Sequence, residues 1–483
     1  MRRIAPGRGL SAVIAGAWLL SACHGSGGLG PTAGLPGGTP AREASIEPLG
    51  GAHGKIQHVI IVVQENRSFN NLFYGYPGAK TAKFGYDSKG NKIMLQPVTL
   101  ATTWDLQHNG VAFINSCHGT GKIPGTDCKM DGFDNQRWSC GQPGAAKCPN
   151  KNPPYSYVPH DEIKPYFDMA NQYVLADEMF ASDFDTSSFE SHQYIIAGVN
   201  PKNSVEYPSL SWGCPGVEGN AIDILGKDRK FPVGTEYPCW NPKTLASELD
   251  AAGITWAYYA SPVKTQGSGM HKDCGGGGPD VSKGNSGIWS AYQAIKSICY
   301  GPDWENDVFS PSAKFLTDVS SGNLRSVTWV TPTYANSDHG GSGSKTGPSW
   351  VASIVNAVGE SKYWKSSAIF IFWDDSGGWF DPVAPEYVDN DGLGFRLPLL
   401  IISPYAKQGL VSHVHYEHGS ILKFVEDQFG LARLAASDTR AKSPGPYCFD
   451  FKQKPRKFTP IAAPYDQRYF ESEPLDLRPP DTD

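Results

Sequence analysis

Two runs of strand-like sequence end abruptly in oxygen-bearing side chains. HVIIVVQENRSFNNLF, residues 58–73, carries Val59 to Val63 directly into Gln64, Glu65, Asn66 and Arg67. SAIFIFWDDSGGWFDP carries Ala368 to Trp373 into Asp374 and Asp375, and Gly377 and Gly378 then allow a tight turn. Adjacent aspartates repel unless something positive lies beside them. With Glu65 and the Asn66 amide oxygen they compose a hard, all-oxygen cage for a divalent cation. Either strand end alone reads first as a solvated surface; the two together point to a site.

Such a cage becomes an active site only with a nucleophile and proton donors around it. FASDFDTSSFESHQYIIAG, residues 180–198, supplies Ser187 and Ser188 ahead of His192. Ser188 and His192 are four apart and share a face if the segment is helical. DTSS is also good capping sequence, so cap and nucleophile are both open on chemistry alone. NSDHGG, residues 336–341, makes Asp338 and His339 a third polar strand end, suited to acid catalysis or phosphate contact in the same crevice. His108, in TWDLQHNGVAF, reads as a surface residue unless something recruits it, and His413, His415 and His418 of HVHYEH have a spacing open to metal, cap or surface roles. GGSGSKT, residues 340–346, fails as a phosphate loop because Ser344 stands where glycine should precede lysine. No G-x-S-x-G elbow occurs.

The elements that must position these groups are unalternating apolar runs, which read as strands buried on both faces. Further runs lie at 255–260, 326–332 and 396–403, and helical periodicity appears at 348–361 and 417–430. Strand and helix alternate, which predicts an α/β fold with a doubly wound, mostly parallel sheet and helices on both faces. In such sheets ligands bind outside the carboxyl ends of the strands, where Glu65 and Asn66 fall. Stretches 110–155 and 200–245, rich in Gly, Cys and Asn, are expected as disulfide-stapled insertions.

The chain has 483 residues, 40% hydrophobic and 19% charged, enough for a large core. A net charge of -6, with no basic stripe evident, argues against a nucleic-acid partner. Residues 1–22 have the layout of a lipoprotein-type signal, with Arg2, Arg3 and Arg8 before a short apolar segment and LSAC ending at Cys23. A Gly/Pro-rich tether is expected over 23–54, a catalytic domain over 55–432, and a tail or strap over 433–483. Export through a lipid anchor at Cys23 places the protein in the periplasm or at the cell surface. There Cys117 with Cys128 and Cys140 with Cys148 would close short loops, and an odd count leaves one thiol over.

With these residues in hand, the stretch 55–430 resembles the bacterial phosphoesterase family that includes phosphatidylcholine-type phospholipases C and the respiratory-burst-inhibiting acid phosphatase, within the alkaline phosphatase superfamily. The motifs are QENRSFNNLF, DLQHNGVAF followed by KMDGF, SSFESHQYIIAG, SDHGG and FWDDSGGWFDPVAP, in that order. The resemblance implies that Glu65, Asn66, Asp374 and Asp375 bind one divalent metal ion, that Ser188 is the nucleophile with Ser187 its adjacent alternative, and that His108, His192 and His339 line the phosphate pocket. It implies hydrolysis of phosphoric esters through a phosphoserine. Related sequences often read YDHV where this chain has FDPV, so Pro382 replaces a histidine, which bears on leaving-group protonation and pH optimum. Phospholipase C members commonly carry extra C-terminal β domains, for which this sequence is expected to be too short, so the expectation is an acid-phosphatase-like phosphomonoesterase. The alternatives are a phospholipase C acting on phospholipid head groups and a non-catalytic lipoprotein that binds a structural cation.

Overall fold

The structure is a computed structural model and describes residues 54–184, 187–200, 204–205, 213–214, 222–230, 233–261, 274 and 289–476. The signal, tether and Cys23 expectations lie outside the described residues.

The core is one nine-stranded sheet. Its strands in chain order are β1 (His58–Gln64), β2 (Val174–Phe180), β3 (Trp256–Tyr259), β4 (Val308–Phe309), β5 (Val327–Val330), β6 (Ser367–Trp373), β7 (Arg396–Ile402), β8 (Leu410–Ser412) and β9 (Tyr416–Glu417). The spatial order is β4-β3-β5-β1-β6-β7-β2-β8, with β9 also paired to β2. Every pairing is parallel except those of β7 with β6 and with β2. The doubly wound, mostly parallel sheet expected from the sequence is therefore present, with one reversed strand.

β1 and β6 pair in register from His58 opposite Ser367 to Gln64 opposite Trp373. All of β6, and all of β1 after His58, is buried, as two-sided coverage of an apolar run requires. β7 is equally buried but contains Pro398, which has no N–H to give a ladder. The register against β2 shifts between Leu397 and Leu399, so the proline sits at the irregularity.

Six helices serve the site or frame it: α1 (Phe69–Leu72), α2 (Gly110–Cys117), α3 (Ser188–Ala197), α4 (Gly347–Gly359), α5 (His418–Phe429) and α6 (Gln467–Ser472). Among the described residues no helix is long and apolar enough to cross a membrane. Cys117–Cys128 and Cys140–Cys148 are bonded as expected, joined by Cys214–Cys239 and Cys274–Cys299, and Cys448 is free and buried. Beyond residue 432 the chain runs back along the domain. Ile461 and Phe470 are buried, the Phe470 ring meets Trp350 of α4 at 5.3 Å, and Asn336 Nδ2 donates to Glu473 Oε2 at 2.7 Å.

Candidate active site

Three adjacent strands, β5, β1 and β6, run parallel and deliver their carboxyl ends to one place. Backbone bonds lock those ends together: Glu65 N–H donates to Ser337 O at 2.9 Å, Asp374 N–H to Gln64 O at 2.9 Å, and Arg67 N–H to Asp375 O at 3.0 Å. Asn66 leaves the strand with φ 58°, a left-handed conformation that asparagine tolerates. Gly377 explains the glycine after the aspartates. Its φ is +58°, and a Cβ there would lie 2.2 Å from Asn66 O. The two acidic ends can approach only because that side chain is missing.

Ser188 is the first residue of α3 and His192 lies one turn on, so both face Glu65. Ser188 Oγ is 3.5 Å from Glu65 Oε2, and His192 Nε2 is 3.0 Å from Glu65 Oε1 and 3.8 Å from Asp374 Oδ2. Ser187 holds the N-cap position, yet its hydroxyl makes no capping bond. The cap reading of DTSS is thus not realised by Ser187.

The electrostatics are severe. Glu65, Asp374, Asp375 and His192 are all fully buried. Burial and the neighbouring Asp374 charge push the Glu65 carboxyl well up, and burial with Asp374 does the same to Asp375. Burial also acts upward on Asp374, but hydrogen bonding with Glu65, the nearby His192 and the Asn66 N–H hold it below the ordinary value. Burial drops His192 to about 4, so at neutral pH the His192–Glu65 contact is a hydrogen bond and not a pair of full charges.

This group fits a cation. Ligand atoms of Glu65, His192 and Asp374 lie within 4.8 Å of one another. Asp374 Oδ2 and Asp375 Oδ2 are buried without a hydrogen-bond partner. His192, given a pocket role by the resemblance, thus also belongs to the group that could hold an ion. The Asn66 amide is the informative member. One of its edges lies 3.2 Å from Asp374 Oδ1 and 3.1 Å from Glu65 Oε2, the other 2.7 Å from His108 Nε2 and 3.1 Å from His339 Nε2. His108 Nδ1 faces Leu106 O at 2.7 Å and His339 Nδ1 faces Gly340 O, so a neutral ring in either case turns an accepting Nε2 toward Asn66. The amide nitrogen then donates to both rings and the amide oxygen joins the carboxylates, which gives an oxygen cluster suited to a cation. With cationic rings the amide reverses, and its nitrogen bridges the carboxylates instead.

The structure places Glu65, Asn66, His108, Ser188, His192, His339, Asp374 and Asp375, the residues to which the resemblance gave site roles, around one buried cluster. His108, read as surface in isolation, is buried against Asn66. The HVHYEH histidines do not converge. His413 pairs with Asp177 at 2.9 Å, His415 stacks on Phe180 at 4.6 Å, and His418 turns its Nδ1 toward the Ser182 N–H at 3.4 Å.

Arg67 was missed by sequence reasoning. It is fully buried, lies 4.7 Å from the Trp379 ring, and donates through Nε to Asp338 O at 2.8 Å, fixing the NSDHGG loop under His339. Asp338 itself accepts from Tyr166 Oη at 2.6 Å. It belongs to the supports of the site. Asp381, beside Pro382, is likewise structural: it takes Arg396 Nε at 3.0 Å and Nη2 at 3.0 Å in a buried pair, and also the Asn70 N–H at 3.1 Å. Pro382 is only partly buried.

Residues 56–432 match the model of the Phosphoesterase family, and the chain belongs to that family. It is similar to the non-hemolytic phospholipase C of Burkholderia pseudomallei, 22% identical over 442 residues, covering 80% of this chain and 57% of that protein. It is also similar to non-specific phospholipase C1 of Arabidopsis thaliana, 24% identical over 456 residues, covering 85% and 74%. The chain spans little more than half the length of the first of these. Among solved structures, a protein in the alkaline phosphatase superfamily from Vibrio parahaemolyticus aligns with a TM-score of 0.34 at 10% identity, covering 81% of this chain and 71% of that one.

Proposed function

We propose that the protein is an exported, metal-dependent phosphoric ester hydrolase in which Ser188 is the nucleophile. The observation that carries this is the Ser188 hydroxyl, set 3.5 Å from Glu65 inside a buried acidic cluster built from two strand ends. A structural cation site has no need of a hydroxyl at that place.

Glu65, Asn66, Asp374 and Asp375, with His192 at hand, would hold one divalent ion. When bound, that ion supplies charge stabilisation to the serine alkoxide and to the phosphoryl oxygens. Ser188 Oγ passes its proton to Glu65 Oε2 and attacks phosphorus in line, the ester P–O bond breaks with the electron pair leaving on the alcohol oxygen, and a phosphoserine forms that water later hydrolyses. His108 and His339 stand at the Asn66 side of the site with Nε2 held by the amide, and a ring that exchanges this contact for a proton can donate it to the departing alcohol. Pro382 removes a histidine of some relatives, so that task falls to these two.

The relatives named above are phospholipases C, and their kinship supports cleavage of a phosphodiester such as a phospholipid head group ahead of the phosphomonoester expected from sequence alone. The test is turnover of phosphatidylcholine and of an aromatic phosphomonoester by the metal-loaded protein and by Ser188→Ala. Loss of about 10³-fold or more in the variant, with an unchanged melting temperature, is expected. Release of a phosphorylated head group marks the phospholipase, release of free phosphate from the monoester marks the phosphatase, and equal rates in both proteins would remove Ser188 from the chemistry.

A further inference from the structure

The opposite end of the same strands carries the opposite charge. Here the described chain enters, at Gly54 and Lys55, just before β1, and Lys362 and Lys365 stand just before β6. Lys407 follows β7, which runs the other way and so ends on this side. Across this base lies FKQKPRKF, residues 451–458, a basic run that the sequence reading passed over. It is tied down by its backbone and by its arginine. Lys55 Nζ donates to Phe451 O, Trp364 Nε1 to Arg456 O at 2.7 Å, and Arg456 itself to Gln172 O at 3.0 Å and Ala406 O at 2.9 Å. The lysines of the run are left over.

Between the run and the segment before β6 is an open groove of about 830 Å³, lined by Lys362, Lys365, Arg456 and Lys457 against one acid, Glu360, with Trp364 and Phe458 as its apolar floor. Lys362, Lys365, Lys452, Lys454 and Lys457 are exposed, and among the described residues none of them pairs with a carboxylate. In a chain of net charge -6 this is a concentrated exception.

We infer that this base docks on an anionic membrane surface and holds the active site facing away from that membrane. Two observations select this occupant. Exposed lysines without a carboxylate partner among the described residues, on a fixed base beside the exposed Pro455 and Pro460, are complementary to anionic head groups. The chain also enters the described domain at this base, at Gly54 and Lys55, so the residues that precede them, with the expected anchor sequence at Cys23, join it on the side of these lysines. The acidic site lies one strand length away, about 20 Å for seven residues. An enzyme so docked acts on esters arriving from outside and spares the membrane that carries it. That consequence rests on the proposed function; the docking does not.

The experiment uses the full chain with Cys23→Ser to remove the anchor and Ser188→Ala to prevent turnover. Co-sedimentation with equimolar phosphatidylglycerol–phosphatidylcholine vesicles is compared with pure phosphatidylcholine vesicles, at low and high salt. Expected is binding to the anionic vesicles alone, lost at high salt and lost in Lys362→Glu/Lys365→Glu/Lys454→Glu/Lys457→Glu, each charge contributing about fivefold. The milder glutamine set should show an intermediate loss. In the Cys23→Ser chain with Ser188 intact, the charge reversals should leave hydrolysis of a water-soluble phosphate ester unchanged, and anionic vesicles should not suppress it. Equal binding to both vesicles, binding indifferent to the reversals, suppression of soluble-ester turnover on docking, or tight binding of duplex DNA without vesicle binding would each overturn the inference. Failure of turnover with intact vesicle binding would strike the proposed function and leave the docking standing.

Discussion

The two ends of β1 and β6 are built from opposite materials. At the carboxyl ends, carboxylates from different segments are buried together, two of their oxygens lack hydrogen-bond partners, and the backbone adopts positive φ at Asn66 and Gly377. At the amino ends, lysines stand exposed and unpaired around an open groove. Buried like charge is costly to the fold and is expected where a ligand compensates it. Exposed like charge costs the fold little and acts on whatever approaches. The difference separates chemistry from placement within one sheet.

The contrast breaks most readily at Asp375. Asp375→Asn keeps an oxygen to accept the Gly377 N–H at 2.6 Å but removes a charge. Turnover should fall by about 10²–10³-fold. The folded pKa of Asp375 is raised by burial and by Asp374, so its ionisation opposes folding once pH exceeds the ordinary carboxylate value. The metal-free variant should therefore melt higher than the native chain at pH 8, with the gain shrinking as pH falls toward 4. A lower melting temperature together with full activity would reverse the assignment.

Gly377→Ala sharpens the geometric half of the comparison. A methyl at 2.2 Å from Asn66 O, at φ +58°, must push the two acidic ends apart. About 10-fold or more of turnover should be lost, with about 1–3 kcal/mol of stability from the strained backbone. Steady-state kinetics and urea unfolding check both.

A smaller effect is expected at Asp391, a buried carboxyl outside the site that accepts from Tyr194 Oη at 2.7 Å and is pushed up to about 7, chiefly by burial. A raised folded pKa means stability is lost as pH rises from about 4 through 7. Asp391→Asn should gain melting temperature over that window and level off above it, with turnover unchanged. A gain independent of pH would show that packing, not charge, is at stake.

Much of this was legible in the chain, for physical reasons that differ by residue. Val59–Val63 and Ala368–Trp373 announce buried parallel strands because nothing polar interrupts them, and their acidic ends follow directly. β2 was missed because VLADEMF carries Asp177 and Glu178. Asp177 is nonetheless buried, held by the Lys80 N–H at 2.8 Å and by His413. Arg67 gave no signal, since an arginine after a strand is ordinarily a surface residue and its Trp379 and Asp338 partners lie far along the chain. Ser188 could not be told from a cap locally, because a helix start offers both; only Glu65, more than a hundred residues away, decides its neighbourhood. The basic base eluded the sequence because its lysines come from 362–365 and 452–457 and meet only in the fold.

The most direct test of the central assignment is to trap the enzyme on its nucleophile. Metal-loaded protein, mixed with a phosphate ester and quenched in acid during turnover, should carry one phosphoryl group on the peptide containing Ser188 by mass spectrometry, absent in Ser188→Ala. Turnover with an unmodified Ser188 peptide, or the same adduct on a different residue in both proteins, would contradict it.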